Sequence, residues 1–281
     1  MSVALLLGLS LLGATPGEVV VLRSSDLAPY KAVEASFARA LGTPTRSLTV
    51  TDADAKGACA GAAVVLAIGQ DAARAALEAR PTGQLLLSLV PAPEKLGAVE
   101  GYRLVPMFVA PQRQLAVFKE LAPSATRLGV IHGASSSALV AEYERAARSA
   151  GLSLVKQAVA DSSQVANALR ALVGKIDALV LLPDPATLGV DTFKFLLTTS
   201  LESKVPLLGF SRGQARAGAL MALEADYDEM GREAATAARR ALAGGTPDPQ
   251  APLGSLYVNG KTAQVLGLPT GAVKDQTKEV F

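Results

Sequence analysis

The sequence predicts an α/β protein of two units, each built on a parallel sheet with helices on both faces. Three observations carry this. Short apolar runs alternate with stretches whose apolar residues recur at three- and four-residue steps, and that alternation reads as parallel α/β structure. Half of the residues are apolar, only 4% are aromatic and Trp is absent. The cores are therefore built from Ala, Val and Leu, which suits strands covered on both sides. Finally, 281 residues are enough for two ordinary domains.

In chain order, residues 3–14 form an apolar stretch followed by Thr15-Pro16-Gly17 and the charged Glu18. It is too short to span a bilayer and has the length of a signal-peptide core, with Ala14 and Gly17 as cleavage candidates, although no Lys or Arg precedes it. The competing reading is a buried first element. No Cys follows the run, so the expected product is a soluble periplasmic protein without a lipid anchor. Strands are expected at residues 19–22, 64–68, 85–90, 128–131, 178–182 and 206–210. The helices between them are expected at 30–41, 71–79, 139–150 and 165–173. Residues 104–112, with Pro106 and Pro111, break the alternation and form a candidate crossover, after which a helix at 114–121 opens the second unit. A long helix at 226–243 stops at Gly244-Gly245. A linker with three prolines at 246–252, a strand at 256–258 and a helix at 261–266 follow.

The formal charge of +2 comes without a long basic run, which argues against a nucleic-acid partner. Cys59 is the single cysteine, expected as a small packed thiol. No cofactor or metal is expected: His132 is the only histidine, and carboxylate-rich clusters are not evident. Gly-x-Gly-x-x-Gly and P-loop patterns are absent as well. One motif points to chemistry. Gly209-Phe210-Ser211-Arg212-Gly213 matches the nucleophile elbow of α/β-hydrolases, placing Ser211 on a strand-to-helix turn. No histidine follows Ser211, so the serine lacks its base, and the chain is read as a non-enzyme.

In open α/β sheets, ligands bind beyond the carboxyl ends of the strands. The first such loop holds Ser24, Ser25 and Asp26, which either contact a polar ligand or cap the next helix. Tyr30 places a ring in the site or begins the core face of its helix. Gly69 and Gln70 open the helix after the 64–68 strand, where the backbone comes close and N–H groups face outward. In the second unit His132, Ser135 and Ser136 follow one strand, with a satisfied strand-end histidine as the plainer reading of His132. Asp184 follows another and serves equally as ligand contact or cap. Phe210, Ser211 and Arg212 follow a third, and Arg212 suits a carboxylate or points to solvent.

Several stretches resemble the ABC-transporter substrate-binding proteins of the tryptophan/tyrosine type. They are V-V-V-L-R-S-S-D-L-A-P-Y at 19–30, Ile68-Gly69, Q-L-A-V-F-K-E-L-A-P-S-A-T-R-L-G-V-I at 114–131, D-Y-D-E-M-G-R-E-A-A at 226–235 and N-G-K-T-A-Q-V-L-G-L at 259–268. The resemblance implies a type I periplasmic-binding fold, with two Rossmann-like lobes joined by three crossovers and a ligand captured in the cleft by hinge closure. Lobe 1 would hold residues 18–106 plus 226–245, and lobe 2 would hold 107–225 plus 246–281, with one hinge near Ala222-Leu223-Glu224-Ala225. The implied protein is a monomer that hands a small organic solute, an amino acid or another, to an ABC permease. A periplasmic sensor reporting to a receptor is the rival. The chain departs from the family pattern at Ser88-Leu89-Val90-Pro91 and at Glu100-Gly101-Tyr102-Arg103. Ser88 joins the expected contacts, and ligand choice is expected to be set in these departures.

Overall fold

The computed structural model describes residues 17–91, 93–97 and 101–281. They divide into two compact units, the first running to Met107 and adding Tyr227–Ala251, the second holding Phe108–Asp226 and Pro252–Phe281. Apart from Gly17, the expected leader lies outside the described residues.

Unit 1 begins with β1 (Val19–Arg23), α1 (Ala28–Leu41), β2 (Arg46–Thr49), α2 (Ala55–Gly61), β3 (Val64–Ile68), α3 (Gln70–Ala79), β4 (Gln84–Ser88) and β5 (Tyr102–Leu104). Its sheet runs β2-β1-β3-β4-β5 with every pairing parallel. Because both faces are covered, the strands need apolar residues at consecutive positions. Val19, Val21, Leu66 and Leu86 enter one core with Val33 and Phe37 of α1. Val20, Leu22, Val65 and Leu87 enter the other with Cys59 and with Ala72, Ala73 and Ala76. Cys59 is fully buried, and burial pushes its thiol up to about 11, so it is the inert packed cysteine expected.

Unit 2 follows with α4 (Pro111–Leu121), β6 (Arg127–His132), α5 (Ser137–Ser149), β7 (Ser153–Ala158), α6 (Val165–Leu172), β8 (Ala178–Val180), α7 (Val190–Glu202), β9 (Leu207–Gly209), α8 (Arg212–Ala217) and β10 (Met221–Glu224). The chain returns to unit 1 for α9 (Tyr227–Leu242), whose Met230, Ala234, Ala235, Ala237 and Ala238 join the core beneath α1. It comes back to unit 2 for β11 (Ser255–Val258), α10 (Gly260–Leu266) and β12 (Thr277–Val280). The second sheet runs β12-β11-β10-β9-β8-β6-β7, parallel except where β11 pairs antiparallel with β10. Leu115, Phe118 and Leu121 of α4 and Val140 of α5 pack on one face. Val165, Leu169 and Leu172 of α6 and Leu196 of α7 pack on the other.

Several expectations shift. The strand expected at 85–90 ends at Ser88, because Leu89 has φ +52 and leaves the ladder. Residues 222–224 are not an open connection: they belong to β10, where each pairs with β11 and Ala222 also pairs with β9, and the passage to unit 1 falls just beyond, after Asp226. The helix expected from Tyr30 starts at Ala28, since Pro29 tolerates the first turn, where its missing N–H has no partner to lose.

Gly254 shows how unit 2 gathers the three passages of the chain. It lies just past the third passage and has φ +70. A Cβ there would sit 2.4 Å from Cγ2 of Val109, just past the first passage, and 2.8 Å from the carbonyl oxygen of Glu224, just before the second. Only glycine satisfies both the angle and the approach.

Candidate functional site

In unit 1 the strand order reverses between β1 and β3, which flank the point where chain connections diverge to opposite sides. The loops at this point bring Ser24 and Gly69 together. The Ser24 amide donates to the Ile68 carbonyl at 2.9 Å, and the Gly69 amide donates to the Ser88 carbonyl at 2.9 Å. The Ser24 hydroxyl accepts the Ala72 N–H at 2.9 Å, so it caps α3 from a neighbouring loop. Gly69 has φ +96, and a Cβ there would lie 2.5 Å from Ser24 Oγ and 2.9 Å from Cζ of Tyr30. Ser24, Tyr30 and Gly69 therefore form one tight group. Ser88 closes it at the end of β4 with a fully buried hydroxyl that has no hydrogen-bond partner among the described residues. Gln70 is the first residue of α3.

The rest of the first loop is arranged differently from the expectation. The cap of α1 is Leu27, without a side-chain bond, so neither Ser25 nor Asp26 caps it. Asp26 is exposed and bonds Arg23, with Lys31 at 3.7 Å, and the Arg23 hydrogen bond holds its carboxyl below the usual range. Arg23 also pairs with Glu34 at 2.7 Å. Ser25 is half-buried beside it.

Unit 2 repeats the order, reversing between β6 and β8. Here the loops are joined by Asp184, which is 1% exposed. Its two oxygens accept the Gly133 N–H at 2.7 Å and the Ala186 N–H at 2.9 Å. Asp184 thus ties the loop after β6 to the loop after β8. His132 is half-buried, with Nδ1 3.1 Å from the Gly133 carbonyl oxygen. Ser135 is exposed and Ser136 buried in the 3-10 turn that leads into α5.

The third loop of this unit, after β9, is held from several sides. Gln114, 2% exposed, donates from Nε2 to the Gly209 carbonyl at 2.7 Å and accepts the Tyr143 hydroxyl at 2.6 Å. Burial raises the Tyr143 pKa, keeping this hydroxyl a donor. Oε1 of Gln214 accepts the amides of Phe210 at 2.8 Å and Ser211 at 3.2 Å, while Ser211 Oγ accepts the Gln214 N–H at 3.3 Å. Ser211 is therefore the N-cap of a capping box, which accounts for the serine of the Gly-x-Ser-x-Gly motif without chemistry. Phe210 meets Phe108 edge-on, with centroids 5.8 Å apart. Arg212, which remains exposed, makes two bonds to Glu279, at 2.6 and 2.9 Å.

Sequence reasoning missed Gln114, Gln214, Glu224 and Glu279. The spacing Ser211-x-x-Gln214 is a capping-box signature and was there to be found; the others act across long sequence separations. Among the described residues, no group of three or more His, Cys, Asp and Glu side chains is placed to hold a metal ion. No helix among them is long and apolar enough to cross a membrane.

The family model for ABC transporter substrate binding proteins matches residues 108–270, more than half of the chain. The chain belongs to this family. It is a family of binding proteins rather than enzymes, in agreement with the capping role of Ser211. A curated relative, the tyrosine-binding protein of Clostridioides difficile (strain R20291), is 27% identical over 191 residues, 64% of this chain. The match spans about half of that relative's length, 55%. Among solved structures, the ligand-free, open form of a substrate-binding protein with adhesive properties from Clostridium difficile aligns with TM-score 0.67 at 19% identity. It covers 94% of this chain and 99% of that one. An ABC domain in complex with L-Trp from Streptococcus pneumonia aligns with TM-score 0.58 at 18% identity, covering 95% and 100%. These likenesses establish the α/β fold of two mainly parallel sheets.

Proposed function

We propose that the protein is an exported, periplasmic solute-binding component that captures an amino acid of the Tyr/Trp class and delivers it to an ABC permease. The observation that carries this is the family match over residues 108–270, joined to the repeated strand reversal with polar loops at both reversal points. A relative's name gives tyrosine, and a structure of the same fold contains L-Trp. Ser24, Ser25, Tyr30, Gly69, Gln70 and Ser88 are the proposed contacts in unit 1. His132, Ser135, Ser136, Phe210 and Ser211 are those in unit 2. Asp26, Asp184 and Arg212, expected as contacts from the sequence, are bonded within their own units, and we assign them the part of holding the loops.

The buried Ser88 hydroxyl supports the reading, because such a group gains a hydrogen bond when a polar ligand arrives. The test is a thermal-shift titration with L-tyrosine, L-tryptophan and their D-enantiomers. A ligand at 100 times its Kd stabilises the protein by about 2.7 kcal/mol. Stabilisation by an L-form and not its D-form supports the proposal. No shift with any amino acid, together with a co-purifying solute of another class, overturns the ligand assignment.

A further inference from the structure

The Arg212–Glu279 pair joins the start of α8, directly after the loop at 210–211, to the outer strand β12 of the same sheet. The guanidinium makes a two-pronged bond to Glu279 through Nε and Nη2. It also lies 6.0 Å from the ring centre of Tyr257 and 5.8 Å from that of Phe281, rings that stack at 6.5 Å. The Arg212 amide donates to Oε1 of Glu224 at 3.3 Å, two residues before the chain leaves unit 2. On the other side of the loop, Phe210 rests on Phe108, the first residue of the unit. The loop is thus fixed inside by Gln114 and Gln214, at one flank by Phe108, and outside by Arg212.

Two features set the outer fixture apart from an ordinary surface ion pair. The bond is bidentate, which fixes orientation as well as distance. The two rings add cation–π attraction that favours this placement of the guanidinium. Yet Arg212 and Glu279 remain 47% and 38% exposed, so the pair contributes little to global stability. Its consequence is local.

We propose that Glu279 is a positioning residue: through Arg212 it holds the Phe210–Ser211 loop in the shape that meets the ligand. This rests on the binding function proposed above, with that loop among the contacts. Neither residue touches the solute. The pair acts on affinity from the first residue of α8.

The protein has no Trp, so F210W supplies a single emission signal from the loop. In that background E279Q, which keeps the shape of the side chain and removes its charge, should increase acrylamide quenching while the far-UV circular dichroism stays unchanged. With Phe210 intact, E279Q and R212E should each weaken L-tyrosine or L-tryptophan binding by about three- to tenfold. The charge-exchanged double variant R212E/E279R should recover most of the loss. Affinity of the unmodified protein should fall as salt is raised, and that of E279Q should not, a difference that a merely structural role would not produce. Unchanged quenching overturns the proposal, as does changed quenching with unchanged affinity. If the unmodified protein binds neither amino acid, the functional reading fails, and the quenching comparison still decides whether Glu279 holds the loop.

Discussion

Replacing Gln114 by Leu tests whether the buried chain Tyr143–Gln114–Gly209 holds the end of β9. The side chain is 2% exposed and uses both ends of its amide, 2.7 Å from the Gly209 oxygen and 2.6 Å from the Tyr143 oxygen. Leu removes the donor to Gly209 and leaves the Tyr143 hydroxyl without its acceptor. A buried polar group left unpaired costs about 1–3 kcal/mol, so Q114L should lose about 2–5 kcal/mol. Y143F strands only Oε1 of Gln114 and should lose about 1–2 kcal/mol. The decisive variant is the double, Q114L/Y143F. Because it removes both members of the Tyr143–Gln114 bond, it should be less destabilised than the sum of the singles by at least about 1 kcal/mol. Urea unfolding fitted with separate transitions for the two units measures all three, with the loss confined to unit 2. Additivity within about 0.5 kcal/mol would show that the two side chains do not share a bond, and the reasoning would fail.

Asp177 gives a pH prediction. Its carboxyl accepts the amides of Thr126 at 2.8 Å and Arg127 at 2.9 Å, and the Arg127 guanidinium at 2.7 Å. The Arg127 hydrogen bond chiefly holds its pKa down at about 2, below the ordinary 3.8. A depressed carboxylate contributes stability above its unfolded pKa and loses it as pH falls toward the folded one. D177N should therefore be less stable by roughly 1–2 kcal/mol from pH 7 to about 4.5, and the gap should close between about pH 4 and 2; a constant gap across that window would contradict the assignment. G69A should cost about 1–3 kcal/mol through its φ of +96 and the 2.5 Å approach to Ser24. It should also weaken ligand binding, and calorimetry showing unchanged affinity would remove Gly69 from the site. D184A strands the buried amides of Gly133 and Ala186 and should cost about 2–5 kcal/mol, read by chemical unfolding.

How much of this was legible in the sequence depends on what each element buries. β3, with five consecutive buried residues, declares itself from Val64 to Ile68. β2 buries only Leu48 and β7 buries none of its six residues, so neither leaves a mark in an apolar pattern. β10 is apolar, but it lies so near the return to unit 1 that it reads as a connection. The site shows the same division. Polar residues just past predicted strands, such as Ser24 and Asp184, stand out because loop position and chemistry coincide. Whether Asp184 caps a helix, meets a ligand or ties two loops depends on the placement of Gly133, 51 residues away. Arg212 finds Glu279 across 67 residues, and no local spacing announces that bond. The family resemblance supplied what spacing could not, namely that the two sheets belong to one binding protein.

The interleaved path of the chain also bears on when the molecule can take shape. Unit 1 lacks α9 until residues 227–242 exist, after Phe108–Asp226 of unit 2 have been made. Unit 2 in turn lacks β11 and β12, and with them the strands that cover the outer edge of β10, until residues 255–280 are available. Neither unit closes from a contiguous stretch: the core beneath α1 waits for α9, and the core beneath α4 waits for Leu256 and Val258, so these closing contacts are remote in sequence and loop-closure entropy delays them. The order of synthesis alone keeps unit 1 incomplete until α9 has been made and unit 2 incomplete until β12 has been made. That interval leaves the chain open to a chaperone before it can lock.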